Sequence, residues 1–204
     1  MDTAFFDSKA EQWDAHHARV FRAEKIYKDI IAEISVKPCD NVLDFGCGTG
    51  LLGCHFIDCV TEVTFADTSA GMLAQVHKKA ATLRSGSVKT LDLTVHTVTE
   101  IYTIIVSLLA LHHVEDVEKT VCDLASHVAE GGYFCLSDLD LEDGSFHYPD
   151  VAPHNGIDRN IIIDALRKSG MRMTCNKTVY TEQKVIDGVV KTYPIFLIIG
   201  KREA

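Results

Sequence analysis

The chain has 204 residues, enough for one domain with a substantial core, and its 47% hydrophobic and 24% charged residues are an ordinary globular balance. A net charge of −9 argues against a domain built to grip nucleic-acid phosphates, which needs a dense basic face. No apolar run approaches the ~20 residues of a membrane helix, and the opening residues lack the basic-then-apolar pattern of a signal peptide.

The first predicted element is a long helix. Ser8 and Glu11 form an S-x-x-E capping box, so the helix is expected to run from about residue 9 to 35. Trp13, Val20, Tyr27 and Ile34 recur every seven residues, with Ala23 and Ile30 beside them, as one inward stripe. After Pro38 the pattern alternates. Val42 to Phe45 is a short buried strand that enters a glycine turn, and Gly50 to Ile57 is expected to be helical. Val63 to Ala66 is a second strand ending at Asp67, and Ser69 can cap the next helix, through Met72, Leu73, Val76 and Ala80. Val88 to Val95 contains a third strand, and Ile101 to Leu108 is a fourth. Val117, Val121, Leu124 and Val128 mark a helix that Gly131-Gly132 is expected to terminate. Tyr133 to Leu136 is a fifth strand, and Asp158 caps a helix closed by Gly170. Two late strands lie near Met171–Tyr180 and Thr192–Lys201, with Lys184 to Val190 as a loop-like connection, which predicts an antiparallel hairpin at the sheet edge.

Single strands alternating with single helices imply a parallel sheet with helices on both faces, which binds ligands at the carboxyl ends of its strands. The seven cysteines form no C-x-x-C pair, and most of them read as small core residues in a reducing compartment, the cytoplasm.

Three features converge on the turn Asp44-Phe45-Gly46-Cys47-Gly48-Thr49-Gly50. It follows a hydrophobic strand, it precedes a predicted helix, and a second acid, Asp67, ends the next strand. An acid in Asp67's place can accept hydrogen bonds from the ribose of an adenosine ligand; its alternative role is to cap the following helix. The nicotinamide fingerprint is G-x-G-x-x-G, aimed at a pyrophosphate. Here the spacing is G-x-G-x-G, and Asp44 stands two residues before the first glycine. A carboxylate there suits an ammonium group and disfavours a pyrophosphate, unless Asp44 bonds only the backbone of its own turn.

Val42 to Gly50 resembles the first motif of class I S-adenosylmethionine-dependent methyltransferases, of the small-molecule type that includes quinone-biosynthesis enzymes. Asp67-Thr68-Ser69-Ala70-Gly71-Met72-Leu73, Ile104 to Val114, and Gly131-Gly132-Tyr133-Phe134 resemble its later segments. The resemblance implies an α/β, Rossmann-like, doubly wound sheet of seven strands, mostly parallel with an antiparallel C-terminal hairpin strand, in one domain over residues 1–204 whose N-terminal helix covers the cofactor cleft. It implies S-adenosyl-L-methionine as cofactor, S-adenosyl-L-homocysteine as product and a small-molecule acceptor, with the chain as monomer or homodimer. By position, Gly46, Cys47 and Gly48 would line the methionine part, Asp67 would hold the ribose, and Thr68 and Met72 would border the adenine. Asp92 and Leu93 would meet the adenine edge and ring, and Ser107 and Leu108 would face the methionine end. Trp13 would fold over the cofactor or, equally, sit in the core.

On the acceptor side, His112, His113 and Asp138 lie just beyond strand ends. A histidine there could act as a base or serve as a backbone-bonded helix-entry residue. The loop with Asp140, Glu142, Asp143, His147, Tyr148 and His154 is expected to border the acceptor pocket. It shows no recognisable ligand spacing, so no metal is expected. Two alternatives stay open: a non-catalytic S-adenosylmethionine-binding subunit, and a nicotinamide-dependent oxidoreductase. The glycine spacing and the lack of a clear Tyr-x-x-x-Lys pair count against the latter.

Overall fold

A computed structural model describes residues 3–82 and 87–203. The strands β1 (Asn41–Phe45), β2 (Glu62–Asp67), β3 (Ser87–Asp92), β4 (Tyr102–Leu108), β5 (Val128–Leu139), β6 (Met171–Ile186) and β7 (Val189–Arg202) form one sheet in the order β3-β2-β1-β4-β5-β7-β6. β1 to β5 pair in parallel, and β7 runs antiparallel between β5 and β6. The strand order reverses between β1 and β4, and this opens a crevice at their carboxyl ends.

Successive residues of a strand point to opposite faces, so the near-continuous apolar strands feed two cores. Val42, Ile104, Val106 and Cys135 lie in one, with Ile26 and Ile30 of α2 (His17–Glu33) and Leu73 and Val76 of α3 (Ala70–Ala80). Leu43, Ile105, Phe134 and Leu136 lie in the other, against α4 (Val117–Ser126) and α5 (Arg159–Lys168). The sheet is therefore covered on both faces, which is why its central strands show no polar alternation.

Four local expectations are corrected. The first is the N-terminal helix. It begins earlier, as α1 (Thr3–Lys9), passes into a 3₁₀ segment (Ala10–Ala15) and breaks at His16, which is extended, before α2. Ser8 caps nothing; its hydroxyl donates to the Phe5 carbonyl at 2.8 Å. Two acids tie the segment before the break to the glycine turn and α3. Asp7 accepts bonds from Ser69 Oγ (2.6 Å) and Gly71 N (2.8 Å), and Asp14 from Thr49 Oγ1 (2.6 Å) and Lys79 Nζ (2.6 Å). Val20 of the predicted stripe ends up exposed while Ile26 is buried.

The second is the segment after the glycine turn, which is not an α-helix. It is a run of turns with a short 3₁₀ piece (Gly53–Phe56). Asp44 draws the Gly53 amide in at 2.9 Å, and a Cβ on Gly53 would lie 2.6 Å from Phe65 and 2.7 Å from Asp44. This close approach tightens the chain beyond α-helical geometry. The third is Gly131-Gly132, which lies inside β5 and not at a helix end: α4 stops at Ser126, and the glycines pass the irregular stretch of the β4–β5 pairing. The fourth is Lys184–Val190. Both strands continue through it to a tight turn at Asp187-Gly188, both with positive φ, as a two-residue hairpin requires.

Candidate functional site

The glycine turn is tied to the sheet from below. The Gly46 and Cys47 amides both donate to the Ala66 carbonyl, at 2.8 and 3.0 Å. Gly46 has φ +66°, and a Cβ there would lie 2.3 Å from Ala110 Cβ, so only glycine fits. Gly48 has φ +54° and open space where its side chain would be. The turn thus presses one glycine against the chain leaving β4 and leaves another facing an empty approach.

Two carboxylates frame it. Asp67 accepts the Gly48 amide on Oδ2 (2.7 Å) and the Ser69 amide on Oδ1 (2.9 Å). The helix cap itself is Ser69, whose Oγ accepts from Met72 N. The Thr68 amide also donates to Asp67, and since a carboxylate has about four lone-pair sites, Asp67 retains acceptor capacity after these three bonds. Asp44 is buried, with the Gly53 amide as its hydrogen-bond donor. Burial pushes its pKa up to about 7, against the pull of that bond, and Asp67 adds repulsion. The Cys47 thiol is likewise pushed well up by burial, which keeps it protonated and inert.

The remaining cleft residues fall as follows. Thr68 is exposed directly after Asp67, and Met72 is buried beneath. Parallel pairing sets Asp92 beside Asp67, but the Asp92 carboxylate accepts from Thr94 N and Oγ1, and Leu93 N donates to the Asp67 carbonyl. Ser107 is buried, and its hydroxyl donates to the Phe45 carbonyl at 2.9 Å; Leu108 is half-buried. Trp13 is half-buried, with the Arg19 guanidinium 3.8 Å above its ring.

The acceptor-side residues converge beyond β4 and β5. Leu109 takes φ +53°, rare for a branched side chain, and turns the chain from β4 into the 3₁₀ turn Leu111–His113. Asp138 accepts the Leu111 amide (3.0 Å) and His112 Nδ1 (2.5 Å), with both side chains 1% exposed. His112 Nε2 lies 3.0 Å from His147 Nε2. His113 packs against both rings and edge-on to Phe6 at 5.3 Å. Burial, reinforced by the neighbouring imidazoles, pushes His113 down to about 2 and His147 down to about 4, so both are neutral near pH 7.

The rest of the predicted acidic loop turns elsewhere. Asp140 is held in a two-pronged pair by Arg159, Asp143 pairs with Lys191, and His154 bonds the carbonyls of Val114 and Glu115. A cavity of about 420 Å³ lies between the starts of α4 and α5, lined by Glu115, Asp116, His154 and Asp158 among others, away from the glycine turn. Sequence reasoning missed Phe6, which bridges Trp13 and His113. It placed His147 in the loop without joining it to His112, because the two are far apart in the chain and no local pattern relates them.

Among the described residues, no helix is long and apolar enough to cross a membrane. Residues 15–176 match the family model of a methyltransferase domain. No curated protein matches the sequence. The chain is similar in structure to a chain of the Haloferax volcanii Trm112 methyltransferase activator complex (TM-score 0.74, 16% identity, 98% of this chain and 98% of that one). It is also similar to magnesium protoporphyrin IX methyltransferase of Synechocystis PCC 6803 with bound SAH (0.69, 16%, 91% and 83%). A third similar structure is the N-methyltransferase NodS of Bradyrhizobium japonicum WM9, also with SAH (0.63, 14%, 92% and 87%). At these identities the likeness establishes the fold, whereas the family match covers most of the chain: it belongs to the methyltransferase-domain family.

Proposed function

We propose that the chain binds S-adenosyl-L-methionine across the glycine turn and transfers its methyl group to a small-molecule acceptor, in the cytoplasm, as a monomer or homodimer. The observation that carries this reading is the buried Asp44 carboxylate beneath a glycine turn that is open at Gly48. A cation placed there stabilises ionised Asp44, whereas a pyrophosphate would meet two carboxylates. The neighbouring structures with bound SAH support the same choice for the fold.

When bound, the cofactor supplies a methyl group already activated by the sulfonium charge. The chain's task is to hold and shield. Gly46, Cys47 and Gly48 line the methionine part, Asp67 grips the ribose with its free lone pairs, and Thr68, Met72, Asp92 and Leu93 border the adenine. Ser107 and Leu108 close the methionine end, Ser107 through its backbone because its hydroxyl is committed to Phe45. Trp13 and Phe6, on the bent N-terminal segment, exclude water. On the acceptor side, Asp138 fixes the His112 ring so that Nδ1 donates and Nε2 is turned toward His147. His113 shapes the wall beside it.

Calorimetry with S-adenosylmethionine and with NADH tests the reading. Binding of the first alone is expected; binding of NADH alone, or of neither, refutes it. A metabolite-extract screen for S-adenosylhomocysteine release then distinguishes an enzyme from a non-catalytic binding subunit. One observation favours a second reading, a methyltransferase that works with an activator subunit: the near-complete overlap with a chain of the Trm112 activator complex. The net charge of −9 counts against a nucleic-acid acceptor held by this chain alone.

A further inference from the structure

Three imidazoles meet where the chain leaves β4 and β5. His112 and His113 come from the 3₁₀ turn after β4, and His147 from the loop after β5. One ring nitrogen of each lies within 4.8 Å of the other two. The ring centroids are 4.0 Å apart for His112 and His113, and 5.0 Å apart for each of these with His147.

As a purely structural cluster this is poorly satisfied. Buried polar groups normally find partners, yet His113 Nδ1 is buried without one. The His112 and His147 Nε2 atoms face each other at 3.0 Å, so only one of them can carry a proton between them. His112 Nδ1 donates to Asp138, which leaves the Nε2 lone pair directed at the cluster. A carboxylate behind an imidazole whose other nitrogen points outward is the usual support of a metal-bound histidine. Asp138 is itself anchored by the amides of Leu111 and Leu139, so the His112 ring is held rigidly.

The dimensions fit. Metal–nitrogen bonds of about 2.0–2.1 Å in tetrahedral geometry put two ligand nitrogens about 3.4 Å apart, so the His112–His147 pair need open by only about 0.4 Å. A donor set of three neutral nitrogens selects zinc or a similar transition ion over magnesium or calcium, which demand oxygen. Phe6 stands edge-on to His113 at 5.3 Å and Phe146 edge-on to His147 at 5.0 Å, which gives the cluster an apolar rim.

We propose that His112, His113 and His147 form a three-imidazole site for a zinc-class divalent ion, oriented by Asp138, with a fourth position open to an oxygen or sulfur of the acceptor. An acceptor hydroxyl or thiol loses its proton to solvent as it binds, so it meets the methyl group as an anion. This last step rests on the methyltransferase reading of the cleft; the ion site does not. It replaces the sequence expectation of no metal, which lacked any spacing that could join His147 to the His112-His113 pair.

The test uses chelator-treated full-length protein titrated with Co²⁺ and then Zn²⁺, with S-adenosylmethionine calorimetry on the same samples. One equivalent of Co²⁺ is expected, with the visible absorption of a four-coordinate nitrogen-ligated ion that Zn²⁺ abolishes. His147→Ala and His113→Ala each remove that spectrum, Asp138→Asn weakens binding by about 10–100-fold, and His96→Ala, on an exposed position, changes nothing. An unfolding curve of His147→Ala without metal shows that the variant is folded before its spectrum is read. No stoichiometric binding, or binding that survives both His147→Ala and His113→Ala, overturns the site. If S-adenosylmethionine binds in that case, the methyltransferase reading stands without it. If the ion binds through these histidines and S-adenosylmethionine does not, the ion site stands and the functional reading falls.

Discussion

Asp67 accepts the Gly48 amide at 2.7 Å, and this one bond locks the end of β2 to the middle of the glycine turn. The acid expected to meet the ligand's sugar is thus also the strut that shapes the ligand's cradle. Replacing Asp67 with Ala should weaken S-adenosylmethionine binding by about 1–3 kcal/mol, the range for losing a hydrogen bond to a charged group. Calorimetry measures it; unchanged affinity would exclude a ribose contact. Because Gly48 and Ser69 both lose an acceptor, a lower melting temperature should accompany the loss.

Two glycines of the turn should respond differently to substitution. Gly46→Ala drives a methyl group to within 2.3 Å of Ala110 Cβ at φ +66°, so it should destabilise the fold by about 1–3 kcal/mol or more. Gly48→Val meets no protein atom within 4 Å, although φ +54° strains any side chain by about 1–2 kcal/mol. The Gly48 variant should fold, with a reduced melting point, and fail to bind cofactor. A folded Gly48→Val protein of normal affinity would show that the open face of the turn is not the ligand's path.

Asp44 predicts a pH dependence. Its ordinary value of 3.8 rises to about 7 on folding, chiefly through burial. The folded state therefore binds the extra proton between these values. Its stabilising contribution is complete below about 3.8 and is lost as pH rises through about 7. A cationic ligand prefers the ionised form, so S-adenosylmethionine affinity should rise across that same upper region. Asp44→Asn should flatten both profiles; a variant that keeps the parent's pH dependence of binding would remove Asp44 from the ammonium contact.

The His112–Asp138 pair should matter to stability as well as to the acceptor side. Both side chains are 1% exposed, and Asp138 also holds the Leu111 and Leu139 amides. Asp138→Ala leaves a buried ring nitrogen and backbone donors without an acceptor, at a cost of about 1–3 kcal/mol for an unsatisfied group. Denaturant unfolding checks it. A loss below about 1 kcal/mol would mean that water replaces the carboxylate and that the pair is more open than its geometry indicates.

Much was legible in the chain by itself because it is written locally. Apolar runs set the strands, the helices between β2 and β3 and between β4 and β5 fit parallel pairing, and Gly46, Gly48 and Asp67 announced the turn and its acid. Ser69 and Asp158 cap α3 and α5 as their side chains suggest. What tertiary structure alone decided depended on distant partners. The N-terminal helix is interrupted at His16, and Asp7 and Asp14 tie the part before it to residues around the glycine turn and α3. The helix expected after the turn tightened because Asp44 pulls Gly53 inward, an attraction that no period of three or four residues records. His147 reached His112 for the same kind of reason: chain spacing carries no information about which loop side chain returns to a strand end, and only the packed sheet brings the three imidazoles within reach of one another.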